Sequence, residues 1–172
     1  MDLALQIVDM AGARPDHSLV IVNFASMIRP QLKNSSCVLF TDNVIYKFRD
    51  DDGEDKEVIP DVSINYSVKQ RRGVRLLNAP KFIMEVLSKS TEKEDRTIKK
   101  ELYRQQEVQE YWIVDIDKRE IEIYELDYDQ NLRPEYYLID TINQSNKEKL
   151  KLRSFSMLKV SYDDIFADLD LL

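Results

Sequence analysis

Only one cysteine, Cys37, occurs in the 172-residue chain, which excludes an intramolecular disulfide framework and a cysteine-based zinc cluster. Histidine is equally scarce: His17 stands alone, so a histidine-rich metal site and a Cys–His nucleophilic pair are both unsupported. Three glycines leave no Gly-rich loop of the kind that cradles phosphates in P-loop or dinucleotide folds. Long apolar runs are absent too. LVIVNF from Leu19 falls far short of the roughly 20 residues that cross a bilayer, so no membrane partner is expected. The opening MDLALQIVDMAGARPD has no basic start and is interrupted by acids and an arginine, unlike a secretory signal, which makes a cytoplasmic location the expectation. Nor is there an excess of positive charge, since 25 Lys and Arg face 32 Asp and Glu for a net charge of −7. That balance counts against a surface that grips nucleic acid throughout by counterion release. It leaves room for a site where carboxylates hold a metal and the metal meets the phosphate. The chemistry falls to carboxylates, lysines and hydroxyls, and Cys37, inside CVLF, reads as a small core residue.

What is present suits one domain spanning 1–172, with 43% hydrophobic residues to build its core. The first fourteen residues form a weak apolar segment, expected as a short helix. A second helix opens at PDH, with Asp16 as its cap and His17, Ile21, Phe24, Ile28 and Leu32 on one face; Pro30 stops or kinks it. His17 is either a helix-start residue packed on the core or a group supporting a nearby site. Strand patterns follow in CVLF and NVIYKF, joined by a polar turn at Thr41 to Asn43. RDDDGEDKE reads as an exposed hairpin tip, because it lacks the alternating ligand spacing of a calcium loop. VIPDVSIN is extended around Pro60, and KFIMEVLS is a strand covered on both faces. KSTEKEDRTIKKELYRQQ is a helix, with a Thr91–Glu94 capping box and Ile98 with Leu102 as an apolar pair. EYWIVDI and EIEIYEL form a hairpin, YYLID and KLKLR continue the strands, and SYDDIF starts a terminal helix capped by Ser161. The expected fold is α/β, a mixed sheet flanked by helices with an additional β-hairpin.

Glu85 needs explaining. A carboxylate in the middle of FIMEVL costs several kcal/mol to remove from water unless it is paired or metal-bound; a buried ion pair with a lysine of the next helix is the plain alternative. Asp61 ends an extended segment two dozen residues earlier, and Pro-Asp alone is an ordinary turn dipeptide. Together, a strand end and a central strand can offer one Mg²⁺ or Mn²⁺ two hard oxygen ligands. Asp95, Lys99 and Tyr103 recur every four residues on the following helix. If that face overhangs Glu85, Lys99 reaches the reacting centre and stabilises charge there; otherwise it is an ordinary ion pair beside a half-buried aromatic. KQRRGVR, with Lys69, Arg71, Arg72 and Arg75, is the one basic patch able to contact nucleic acid, and is equally readable as a solvated loop.

The order PDV, NAPKFIMEVLSKST, DRTIKKELY and VQEYWIVD resembles the Uma2 family of endonucleases, members of the restriction-endonuclease-like superfamily named for a Pro-Asp, an Asp or Glu, and a Lys. The similarity runs from about His17 to Tyr124. It implies a restriction-endonuclease-like fold with Asp61, Glu85 and the Val86 backbone carbonyl holding Mg²⁺ or Mn²⁺. The superfamily's usual lysine position, two residues after the second acid, is Leu87 here, on the same strand face as Glu85. The resemblance places the lysine on the next helix instead, at Lys99, with Lys100 the weaker alternative. His17, Ser88, Ser90, Thr91, Asp95 and Tyr103 match as supporting residues, as does the pair Glu110–Tyr111. Trp112 is expected in the core or at an interface, and the stretch after Tyr124 matches little. The implied activity is metal-dependent hydrolysis of nucleic-acid phosphodiesters, DNA foremost, by a homodimer that cuts both strands. A catalytically silent nuclease-like module for binding or assembly is the rival reading, with a hydrolase of small phosphate esters behind it.

Overall fold

The computed structural model describes residues 14–66, 68–69 and 71–172; the helix expected over the opening residues lies outside them apart from Arg14. Helix α1 (Pro15–Ile28) begins with a proline in its first turn, where a missing N–H costs nothing. Asp16 sits inside that first turn and not ahead of it, and accepts from the His17 backbone N–H at 2.8 Å. The N-cap position falls on Arg14, two residues before the expected Asp16, and carries no side-chain cap. Pro30 ends the α-helical ladder, and a 3-10 turn (Arg29–Leu32) carries the chain off.

Ten strands follow: β1 (Val38–Thr41), β2 (Tyr46–Arg49), β3 (Asp55–Val58), β4 (Val62–Asn65), β5 (Arg71–Arg72), β6 (Arg75–Leu76), β7 (Phe82–Val86), β8 (Glu110–Asp115), β9 (Glu120–Tyr128) and β10 (Pro134–Ile142). Six of them build a mixed sheet in the order β1-β4-β7-β8-β9-β10, and four build a smaller sheet, β3-β2-β6-β5. The polar turn after β1 does not fold back into a hairpin. It passes the chain from the large sheet to the small one, and Tyr46 and Ser63, joined through their hydroxyls at 2.9 Å, tie the two sheets together. The acidic run after Arg49 is a hairpin tip as expected, with Gly53 at φ +81°. A second tight turn, at Gly73 with φ +62°, joins β5 to β6, and both glycines occupy a backbone region that side chains disfavour.

β7 runs through the middle of the large sheet, antiparallel to β4 and parallel to β8. Every residue of β7 is buried, which explains its unbroken apolar reading. Its alternation divides the core. Phe82, Met84 and Val86 meet α1, Trp112 and Val114, whereas Ile83 meets Tyr103, Tyr111 and the small sheet. The β7–β8 connection is a helix, α2 (92–105), made of three pieces: Glu92–Glu94, a π turn at Asp95–Lys99, and Lys100–Gln105. Its start differs from the expected capping box. Thr91 makes no side-chain cap; the Ser88 hydroxyl accepts from the Thr91 N–H, and the Ser88 carbonyl from the Glu92 N–H.

β8 and β9 form the expected hairpin, and β10, expected as a strand, pairs antiparallel with β9. KLKLR does not form a strand. Leu150 and Leu152 are buried and Lys151 exposed, which gives the alternation, but the backbone beyond them turns to a side chain. Buried Glu110 accepts from the Arg153 N–H at 3.1 Å, the Ser154 N–H at 2.6 Å, the Ser154 hydroxyl at 2.6 Å and the Trp112 indole at 2.8 Å. The last helix, α3 (Tyr162–Ile165), is capped by Ser161 as expected. Among the described residues no helix is long and apolar enough to cross a membrane.

Candidate active site

Asp61 stands one residue before β4, and the pairing of Val62 with Met84 sets it opposite Glu85. The Asp61 backbone N–H donates to Glu85 Oε2 at 3.2 Å, and the Val86 N–H donates to Asp61 Oδ2 at 2.7 Å. The two acids are thus fixed by each other's strand. From α1, the His17 ring donates through Nε2 to the same Oδ2 at 3.2 Å, the tautomer following from a carboxylate that can only accept. Asp61 Oδ1 takes no hydrogen bond from the described residues.

Glu85 is wholly buried, and α2 covers it. The Tyr103 hydroxyl donates to Glu85 Oε1 at 2.6 Å, and the Lys99 ammonium lies 3.3 Å from the same oxygen and 2.7 Å from Asp95 Oδ1. The ion pair with Lys99 is what Asp95 Oδ1, itself buried, has for a partner. Lys100, the weaker candidate, points elsewhere, its ammonium 3.6 Å above the Tyr124 ring. The π turn accounts for this sorting. In an α-helix, eight residues leave a pair about 80° out of line; absorbing one residue in a wider turn cuts that to about 20°. Asp95, Lys99 and Tyr103 accordingly converge on Glu85, whereas Ile98, expected as an apolar partner of buried Leu102, is turned out to 70% exposure.

The electrostatics are strained toward negative. Burial pushes the Glu85 carboxyl up to about 8; Lys99 pulls it back, and the charges of Asp61 and Asp95 push it further. Lys99 is held above its usual value. Its burial works against this, but Glu85 and Asp95 outweigh burial. His17 is also raised: burial lowers it, and the bond to Asp61, the Asp61 charge and the Val86 carbonyl more than compensate. One ammonium thus faces three carboxylates. Among the described residues no three Asp, Glu, His or Cys side chains converge on one metal position, so a closed protein cage is absent. The donor set fits Mg²⁺ or Mn²⁺ nonetheless, since these hard cations sit on one or two carboxylates and keep several waters. Asp61, Glu85 and the Val86 carbonyl are the groups able to hold one.

The other expected residues divide. Ser88, Ser90 and Thr91 form a hydroxyl cluster at the start of α2, with Ser88 to Ser90 at 3.0 Å and to Thr91 at 2.9 Å, and they serve the turn. Lys69, Arg71 and Arg72 are exposed at the rim of the small sheet, but Arg75 is engaged by Glu57, which leaves three basic side chains of that patch without a side-chain ion pair among the described residues. Two contacts had no foretelling in the sequence. Tyr111, on β8, donates to the Asp95 backbone carbonyl at 2.9 Å, and Arg96 forks onto both oxygens of Glu122. An i, i+4 count along α2 could have found Arg96 on the helix flank, but its partner lies across the fold.

The family described as "Putative restriction endonuclease" (Uma2) matches residues 6–159. An uncharacterised protein of Synechocystis sp. is 27% identical over 153 residues, covering 88% of this chain and 75% of its own. A crystal structure from Anabaena variabilis, described as a "putative nuclease belonging to DUF820", superposes with a TM-score of 0.69 at 19% identity, over 90% of this chain and 82% of the other. At that identity the likeness speaks for the fold.

Proposed function

Because the chain belongs to the Uma2 family, we propose that it is a metal-dependent endonuclease hydrolysing phosphodiester bonds of nucleic acid, with DNA the foremost substrate. The observation that supports this most directly is the convergence of Asp61, Glu85 and Lys99 from three elements on one buried patch short of positive charge. Mg²⁺ or Mn²⁺ would be held by Asp61, Glu85 and the Val86 carbonyl. Bound there, it supplies Lewis-acid charge to a phosphate oxygen and makes an attacking water more acidic.

The chain's own groups do the remaining work. His17 and the Val86 N–H fix Asp61 Oδ2, which turns Oδ1 outward as the free ligand atom. Tyr103 holds Glu85 in one rotamer. Lys99, which lies beside Glu85 and Asp95, would bring a positive charge to the phosphate in the transition state. Lys69, Arg71 and Arg72 provide a basic rim for the nucleic-acid backbone. Two-fold pairing of the chain would present two such sites to the two strands of a duplex.

One observation favours the silent-module reading. Lys99 already bridges Glu85 and Asp95, so the cluster is held together without a cation, in a protein of net charge −7. Calorimetric titration with Mg²⁺ and Mn²⁺, alone and with a short DNA duplex, decides between the two. Binding by wild type that vanishes in Asp61→Ala, Glu85→Ala, followed by duplex cleavage, is the expected result. Absence of binding even with duplex would make the silent module the better reading. A shallow salt dependence of substrate binding would instead indicate a small phosphate ester.

A further inference from the structure

A π turn is a poor use of helix geometry and persists where something outside the helix holds it. In α2 it spans Asp95–Lys99, and at its first residue the main-chain carbonyl accepts a bond from the Tyr111 hydroxyl of β8. Tyr111 is fully buried in an aromatic cluster, its ring edge-on to Tyr103 at 5.3 Å and stacked near Tyr124 at 6.3 Å. Packing alone would be served by phenylalanine. The hydroxyl goes to the one carbonyl that marks where the wide turn begins. Were the turn to relax to α geometry, Asp95 would swing about 80° out of line with Tyr103, and Lys99 could no longer reach Glu85 and Asp95 together.

We infer that Tyr111 is a positioning residue for Lys99: its hydroxyl pins the Asp95 carbonyl and so maintains the π turn that seats the Lys99 ammonium on Glu85. The Tyr111 hydroxyl bonds the helix backbone and neither Asp61 nor Glu85, so its hold on Lys99 runs through the helix.

The test is competitive acetylation of the full-length protein with acetic anhydride, read lysine by lysine by mass spectrometry. Exposed Lys118 serves as the internal standard. In Tyr111→Phe, Lys99 is expected to react at least threefold faster than in wild type. Tyr124→Phe removes the same group from the same cluster, where its hydroxyl serves Glu122, and should leave Lys99 at the wild-type rate. Deleting Thr97, an exposed residue within the turn, takes out the extra residue and leaves seven from Asp95 to Tyr103, about 20° out of line in plain α geometry; Lys99 should then label at the wild-type rate, and Tyr111→Phe should add nothing in that background. Lys99 labelling at the wild-type rate in Tyr111→Phe, or an undiminished effect of Tyr111→Phe in the Thr97-deleted chain, overturns the inference. A kinetic arm rests on the endonuclease reading. There Tyr111→Phe lowers kcat tenfold or more with KM held within twofold, and adds nothing in a Lys99→Ala background. A protein that labels as expected yet cleaves nothing would count against the endonuclease reading and leave the role of Tyr111 standing.

Discussion

Glu110 shows how a single side chain can hold a fold together away from its site. Its two oxygens take four donors, three from residues 153 and 154 and one from Trp112. Each donor is left without a partner when the carboxylate is cut away. Glu110→Ala is expected to cost about 3 kcal/mol in urea denaturation, the sum expected for stranding several buried polar groups; a change within about 0.5 kcal/mol would show that water replaces it. In the sequence this residue matches the family resemblance and is otherwise only the polar start of EYWIVDI, because its burial depends on a segment more than forty positions away. Glu85 was legible for the opposite reason. A lone acid inside an apolar strand stands out locally, and its contact with Lys99 follows from the next helix. Asp61 gained meaning only beside Glu85, and the structure joins the two through backbone N–H groups that no pattern of residue types encodes.

At the scale of elements, the periodicities found most strands and helices and misread where they end. KLKLR alternates like a strand because Leu150 and Leu152 face the core, but the backbone after them serves Glu110 and not a ladder. The expected Ile98–Leu102 pair assumed 3.6 residues per turn throughout α2, and the π turn breaks that assumption. The direction of the basic hairpin was likewise invisible, because it depends on which sheet receives β2. Arg71 and Arg72 lie on that hairpin with exposed side chains, and Arg75 is held by Glu57. For Arg71→Ala, Arg72→Ala, the slope of log affinity for duplex DNA against log salt should become shallower by up to about 2. Arg75→Ala should change it much less. An unchanged slope in the double variant would place the phosphate grip elsewhere on the molecule.

For the whole molecule, the site is a source of pH-dependent stability. Glu85 has a folded pKa of about 8 against 4.5 as a free group. Between those values the folded chain keeps a proton that the unfolded chain has released. This contribution is fully present below about 4.5 and is lost as pH rises through about 8. His17, also raised, adds a loss in the same direction at the upper end. The metal-free protein should therefore melt at a lower temperature at pH 8.5 than at pH 5, and Glu85→Gln, which cannot ionise, should flatten much of that difference. A difference that survives intact in the variant would assign it to other groups. A divalent cation held by Glu85, as proposed, would reverse the trend, because it would bind the ionised carboxylate and stabilise the state that holds it.

Trp112 gives these experiments a built-in lamp. It is the single tryptophan of the chain, shut away from solvent with its indole edge-on to Phe24 and Phe82. It lies on β8 directly across from Met84, the residue before Glu85 on β7. Its emission is expected to be that of an indole screened from water and to shift to the red when the two central strands part. Unfolding can therefore be watched by light from the strand beside the one that carries Glu85, with no label added and no second fluorophore of its kind to confuse the signal.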